Sequence, residues 1–394
     1  MLELQHALKP PARRDDRARM NFVSALRSYV LHDMAAGLRA CWEHRAAPRL
    51  ARQRRVVRSG ADVHRALRGE EYFRFYSAIR VTAQDMVYQC VRPVIERARP
   101  QLAATASRLA REQPLGTLQL DPRLAVPRSV SALDIHLMPG SYHTEYAPDD
   151  LLAGAVYDNR LAISSFGLMG RNLDDIGQSV ARWLRARHPD FAPRRILDLG
   201  CTVGHNTGAL KDVFPDAEVH GIDVAAPCLR YALARARAQG RALDLHQMNA
   251  ERLDFADGSF DLVFSSMFLH EVPRAGIARV LREAHRVLRP GGLMLHMELP
   301  PNARLAPFDA FYLDWDGDYN NEPFYKPFRA LEPRVAVAAA GFDPDRYVEA
   351  VVPSWTALGD ARFADAVRHD TQVDSARTGR LAAGVNWYCF GAWR

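Results

Sequence analysis

ILDLGCTVGHNTGAL, residues 196–210, carries an apolar run into the acid Asp198 and then into a loop punctuated by Gly200, Gly204 and Gly208. An apolar run of this length is what a strand covered on both faces of a parallel sheet requires. Gly200 lets the backbone turn sharply after the strand, and Gly204 lets it approach a ligand with no Cβ in the way. A helix that follows such a loop points its free N–H groups at whatever sits there. A glycine-rich turn is not specific by itself, since dinucleotide enzymes have one too. Thr202 stands where many such loops carry glycine. A β-branched residue disfavours positive φ, so the loop is expected to hold Thr202 in an ordinary backbone region.

Outward from this stretch, helices and strands alternate. A helix over 174–188 precedes it. Strands are expected at EVHGIDV, ALDLHQMNA, SFDLVFSSMF and GGLMLHMEL, and two more at DRYVEAVVP and NWYCFGAWR. This predicts an α/β fold, a doubly wound, mostly parallel, seven-stranded Rossmann-like sheet with helices on both faces and an N-terminal helical region. In such sheets ligands bind outside the carboxyl ends of the strands, where the strand order reverses.

Residues 1–150 read as a mainly helical domain, for dimerisation or as a cover over the site, and 151–394 as the α/β domain. Phe22, Leu26, Tyr29, Val30, Met34 and Leu38 recur at helical spacing and are expected in the core. Pro93 is expected at or near a helix boundary. Residues 113–150 mix proline, glycine and aromatics and read as a connector or lid. His136, Tyr142, His143 and Tyr146 there are candidates for a polar pocket wall. The long stretch 300–328, rich in aromatics, Asp and Asn, reads as a substrate lid.

The chain has 394 residues, 48% hydrophobic and 25% charged, with a formal net charge of +6. That composition fits a globular protein with a real core, and no apolar run approaches the roughly 18 residues of a membrane helix. Nearly all the base is arginine; the lysines are Lys9, Lys211 and Lys326. Five scattered cysteines without a CxxC spacing argue for reduced thiols and a cytoplasmic location, not a disulfide framework or a zinc site. No metal site is expected, and nothing suggests a membrane partner. The Arg-rich stretch RAAPRLARQRRVVR, residues 45–58, is the one feature that would suit nucleic acid or a protein partner; such a run is usually a solvated helix face.

After Asp198 come the strand-end acid of GIDV (221–224), QMNAERLDF (247–255), GSFDLVFSSMFLHEVP (258–273) and LRPGGLML (288–295). This order resembles class I S-adenosylmethionine-dependent methyltransferases, in particular the branch typified by ubiquinone and menaquinone biosynthesis enzymes. The resemblance covers about residues 172–300 and more loosely 300–394, but not the N-terminal part. It implies S-adenosyl-L-methionine as cofactor. Asp198 and the loop of Gly200, Cys201, Thr202 and Gly204 would hold the methionine portion. Asp223, with Val224 beside it, would take the ribose hydroxyls. Asn249, Ala250 and Glu251 would meet adenine, with Asn249 where many relatives carry Asp. Ser265 and Ser266 would lie beside the sulfonium. For Asp198 and Asp223 helix capping is the structural alternative.

The resemblance implies methyl transfer to a small-molecule acceptor, with an oxygen nucleophile on an aromatic or secondary metabolite as the first expectation. His270, just past the fourth strand, is the expected base, since an imidazole of pKa about 6.5 suits proton removal at neutral pH. Glu298 and Tyr319 come next. A histidine that caps the following segment is the structural alternative for His270. Two other functions stay open: an RNA or protein methyltransferase using the Arg-rich N-terminal region, and a methyltransferase-fold scaffold or non-methylating catalyst. A homodimer through the N-terminal helices is also compatible with the pattern.

Overall fold

In the computed structural model, which describes residues 5–369 and 386–394, one eight-stranded sheet organises the molecule. Its strands are β1 (Thr117–Gln119), β2 (Arg195–Leu199), β3 (Glu218–Asp223), β4 (Asp244–Gln247), β5 (Phe260–Ser266), β6 (Leu288–Glu298), β7 (Tyr347–Pro353) and β8 (Asn386–Trp393). The order across the sheet is β1-β4-β3-β2-β5-β6-β8-β7. All neighbours are parallel except that β8 runs antiparallel to both β6 and β7. The central strands bury nearly every side chain, which is why they read as apolar runs. From β2 the chain winds to β3 and β4 on one side and to β5 and β6 on the other. The reversal therefore lies between β2 and β5, where Leu199 pairs with Ser265.

The expected count of seven strands is corrected to eight. The extra edge strand, β1, has three residues, too few to leave a periodic signal. It lies beside β4 with Leu118 opposite Leu245.

The N-terminal segment is helical, with helices at Arg14–Tyr29 and Glu71–Glu112 as its long members. Pro93 does not mark a boundary; with Pro100 it lies inside the 42-residue helix. An interior proline costs roughly 3 kcal/mol. The helix carries that cost because Val87, Tyr88, Val91, Val94, Ile95, Ala98 and Leu102 are all buried along it, at about 1.5–3 kcal/mol for each large apolar side chain. Val30, Met34 and Leu38 are core residues as expected, but Phe22 and Tyr29 are 60% and 56% exposed. The buried face instead runs Met20, Val23, Arg27, Val30. Phe22 and Tyr29, two turns apart, share the opposite side.

Residues 307–318 and 325–329 form helices, not an open loop. They pack Phe308, Phe311, Tyr312, Leu313, Trp315 and Tyr325 into one core with Val30, Met34, Leu38, Phe73 and Tyr76 of the N-terminal helices. Trp315 stacks on Tyr76 at 4.8 Å and donates its indole N–H to Ser77 Oγ at 3.0 Å.

Candidate active site

A cavity of about 680 Å³ opens at the carboxyl ends of the strands, at the reversal point. Its floor is the loop after β2. Gly200 has φ +70°, and a Cβ there would stand 2.3 Å from the ring of Phe268, so only glycine fits both the turn and the approach. Gly204 also has positive φ, +73°, but a Cβ on it would meet nothing closer than 3.6 Å. Within the protein its need for glycine is thus conformational, as the cap before the helix His205–Val213.

Thr202 has φ +50°, which corrects the expectation of an ordinary region. Two contacts hold it there: its N–H donates to Asp223 Oδ2 at 3.0 Å, and its hydroxyl reaches the Gly200 carbonyl at 3.4 Å. A non-glycine residue in this region costs about 1–3 kcal/mol, so the strain is stored where the strand-end acid meets the loop. Asp223 takes a second backbone N–H, that of Ala225, at 2.9 Å on Oδ1. Each carboxylate oxygen keeps a lone pair for a further donor. Burial pushes the Asp223 carboxyl up, against the pull of these N–H groups.

Gly200, Thr202, Asp223, Val224, Asn249, Ala250, Glu251 and Ser266 all face the cavity. Asn249 Oδ1 accepts the Glu251 N–H at 2.9 Å, which leaves its amide N–H₂ as the donor. Ser266 Oγ is buried without a hydrogen-bond partner. Four expected residues do not line the cavity. Asp198 turns back to accept the Thr207 hydroxyl at 2.6 Å, and burial lifts its carboxyl to about 7. It thereby fixes the start of the helix. Cys201 packs its thiol into the core and donates its N–H to the Ile222 carbonyl. Gly204 lies behind the loop, and Ser265 is tied to His296 at 2.7 Å.

His270 is 2% exposed and lines the cavity. Its Nδ1 lies 2.6 Å from Glu298 Oε2. Glu298 does not reach the cavity. Its other oxygen accepts the N–H groups of Phe268 and Leu269 at 2.9 and 2.6 Å, so it fixes the whole turn that presents the imidazole. Glu322, from the segment after β6, stands 3.7 Å from His270 Nε2 and 3.2 Å from His136 Nε2. Burial alone would lower the His270 pKa. The charge and hydrogen bond of Glu298, with Glu322 and Glu271 behind them, outweigh it and raise the pKa to about 9. That revises the sequence expectation of an ordinary imidazole. Tyr319 does not line the cavity; it stacks on Trp315 at 5.6 Å.

The cavity roof comes from distant parts of the chain. Arg27, His32, Arg39, Arg80 and Gln84 enter from the N-terminal helices, and Tyr312, Asp316 and Tyr325 from the segment after β6. Of the polar-wall candidates, His136 and Tyr142 line the cavity; His143 does not, and Tyr146 is 47% exposed. Sequence reasoning missed Arg27, Arg80, Gln84, Tyr157, Arg160 and Glu322. Glu322 alone left a signal, as one acid in the stretch read as a lid. Of the Arg-rich stretch, Arg45 and Arg49 face Glu70, at 3.6 and 2.5 Å.

The sheet order, the glycine loop and the strand-end acid define a class I methyltransferase domain, and residues 196–292 match the family described as "Methyltransferase domain". Methyltransferases of quinone biosynthesis and of malonyl-[acyl-carrier protein] are among the relatives it resembles. The chain is 40% identical over 126 residues to demethylmenaquinone methyltransferase of Thermus thermophilus, covering 30% of this chain and 55% of that protein. It is 39% identical over 118 residues to malonyl-[acyl-carrier protein] O-methyltransferase of Methylococcus capsulatus, covering 30% and 41%. It is 33% identical over 136 residues to a ubiquinone/menaquinone biosynthesis C-methyltransferase of Desulfotalea psychrophila, covering 33% and 54%. The chain thus spans about half the length of the curated relatives it matches. Among the described residues no helix is long and apolar enough to cross a membrane.

Proposed function

We propose that this protein transfers a methyl group from S-adenosylmethionine to an oxygen on a small acceptor held in the cavity. The observation that carries the proposal is the enclosure. One cavity is bounded below by the cofactor-type loop, with Gly200, Thr202 and Asp223, and above by side chains of the N-terminal helices and of residues 308–325. A deep concave space of this size suits a small molecule.

The residues present fit the cofactor. Asp223 has one lone pair left on each oxygen for a ribose diol, Asn249 offers its amide, and the orphaned Ser266 hydroxyl needs a partner. When bound, S-adenosylmethionine supplies an electrophilic methyl on a positive sulfur, open to in-line attack. The chain's part is to align the acceptor, exclude water and take its proton. We assign the proton to His270 Nε2, because Nδ1 is engaged by Glu298. Glu298 is a positioning residue. The N-terminal helices act in this reading as the cover of the site.

The test is calorimetric titration with S-adenosylhomocysteine. Asp223→Ala should weaken binding by at least about tenfold, the equivalent of one charge-assisted hydrogen bond. Equal affinities would remove Asp223 from the ribose role, and no binding to the wild-type protein would overturn the proposal.

A further inference from the structure

The cavity is lined by four arginines, Arg27, Arg39, Arg80 and Arg160. Two are matched: Arg39 pairs with Asp309 at 2.5 Å, and Arg80 with Asp316 at 2.6 Å. Arg27 and Arg160 are not. They are only 7% and 9% exposed, and among the described residues neither has a carboxylate within 4.0 Å. Arg27 donates to Gln84 Oε1 at 2.5 Å. Gln84 Nε2 in turn donates to the His136 carbonyl at 2.9 Å, and Arg160 Nη2 lies 3.4 Å from His136 Nδ1. Gln84 and His136 therefore bridge the two guanidiniums into one polar wall. Arg160 also lies over the Tyr157 ring at 4.8 Å.

Neutral partners do not compensate a buried guanidinium, and the cost of an uncompensated buried charge is several kcal/mol. The wall also has unused donors: Arg27 Nε, Arg80 Nη1 and Arg160 Nε are buried without an acceptor. The arginines stand close enough to feel one another. Burial lowers the Arg27 pKa most, and Arg80 and Arg160 lower it further, to about 9 against the opposing pull of Asp316. The nearby acids have closer partners: Glu322 is held by His136, and Glu271 faces His136 Nδ1 at 3.8 Å while its charge, with those of the surrounding tyrosines, raises the Arg160 pKa against burial. Asp223 and Glu251 belong to the cofactor end.

We infer that Arg27 and Arg160 anchor an anionic oxo group, a carboxylate or a phosphate, on the acceptor. The anion would supply the missing counter-charge and accept the orphaned N–H groups. This rests on the methyltransferase reading of the cavity and narrows its acceptor to an acidic molecule. Asp223 and Glu251 line the same cavity as the two unmatched arginines, so opposite charges within it bias the acceptor's orientation.

The experiment titrates the full chain, loaded with S-adenosylhomocysteine, with benzoate, phenyl phosphate, benzamide and benzyl alcohol. At least one of the two anions should bind tenfold or more tightly than both neutral probes, and the tighter anion identifies the group. Arg27→Gln and Arg160→Gln should each remove that preference while S-adenosylhomocysteine affinity stays within about threefold. Equal affinity for all four probes, undetectable anion binding at tens of millimolar, or variants that keep the preference would overturn the inference. Should either variant fail to fold, the wild-type comparison of anions with neutral probes decides alone. Failure of the wild-type chain to bind S-adenosylhomocysteine would instead strike the methyltransferase reading, so the two failures are separable.

Discussion

At the level of single residues, His270 departs furthest from its ordinary chemistry. With a pKa near 9 the imidazole is neutral in only about one molecule in a hundred at pH 7. If it takes the acceptor's proton, turnover should therefore rise with pH towards a midpoint near 9, well above the 6.5 of a free imidazole. His270→Ala should lower turnover by about 10²–10⁴-fold and leave S-adenosylhomocysteine affinity nearly unchanged. A variant with wild-type turnover at every pH would make His270 structural. The raised pKa bears on stability as well. A histidine whose folded pKa lies above its unfolded value stabilises the fold fully below about pH 6.5 and loses that contribution as the pH rises through about 9. A tenfold gain in proton affinity on folding is worth about 1.4 kcal/mol, so the loss across that window should be about 3 kcal/mol and should vanish in Glu298→Gln. Thr202 makes a second residue-scale prediction. Asparagine tolerates positive φ better than a β-branched side chain, and the backbone N–H to Asp223 would remain. Thr202→Asn should raise stability by about 0.5–1 kcal/mol in urea unfolding. A destabilised variant would mean that the threonine hydroxyl, not the backbone N–H, holds the loop.

Among the elements, those of the cofactor side could be read from the sequence because each motif is contiguous: a strand, its terminal acid and a glycine turn within a few residues. Asp223, Asn249 and Glu251 reach the cavity for that reason. Strand-end position alone does not say which way a side chain turns, and Asp198, Cys201 and Ser265 turn away from the cavity. The roof was not legible. Arg27 and Arg80 sit on helices of the N-terminal segment, where arginine reads as solvent-facing, and Arg160 on the helix Leu152–Ser164; tertiary packing buries all three. Nor was the element that ties roof and floor together. Asp158, in the helix Leu152–Ser164, has no solvent exposure and accepts from His6 at 2.9 Å, His205 at 2.7 Å and Tyr231 at 2.7 Å. His205 is the first residue of the helix after the cofactor loop, so this carboxylate fixes that loop's exit. Asp158→Ala leaves three buried partners unpaired and should cost about 3–5 kcal/mol. Chemical denaturation checks it; a loss below about 1 kcal/mol would show that water replaces the carboxylate.

Across the whole molecule, the helix Glu71–Glu112 belongs to two cores at once. Its first half packs Phe73, Tyr76 and Ala83 with Trp315 and Phe311 in the roof. Its second half packs Val87, Val91, Val94 and Ile95 with Val203, Ala225, Cys228 and Tyr231, which border the cofactor loop and the helix after β3. A cover attached only by a linker would leave the floor intact when removed. This one would not: without it Val203, Ala225 and Cys228, all 1% exposed or less, lose the part of their apolar cluster that this helix supplies. Uncovering several such side chains costs about 1.5–3 kcal/mol each, a large share of the 5–15 kcal/mol that holds a typical domain folded. Residues 151–394 expressed alone should therefore bind S-adenosylhomocysteine at least tenfold more weakly than the full chain, or fail to fold. The full chain should melt in one calorimetric transition, with Trp315→Ala shifting that whole transition downward and not splitting it. A shortened chain with full affinity, or a roof that melts ahead of the sheet, would make the helices a separable lid. Continuity of the two cores through one helix argues instead that closing the acceptor site and building the cofactor site are one folding event.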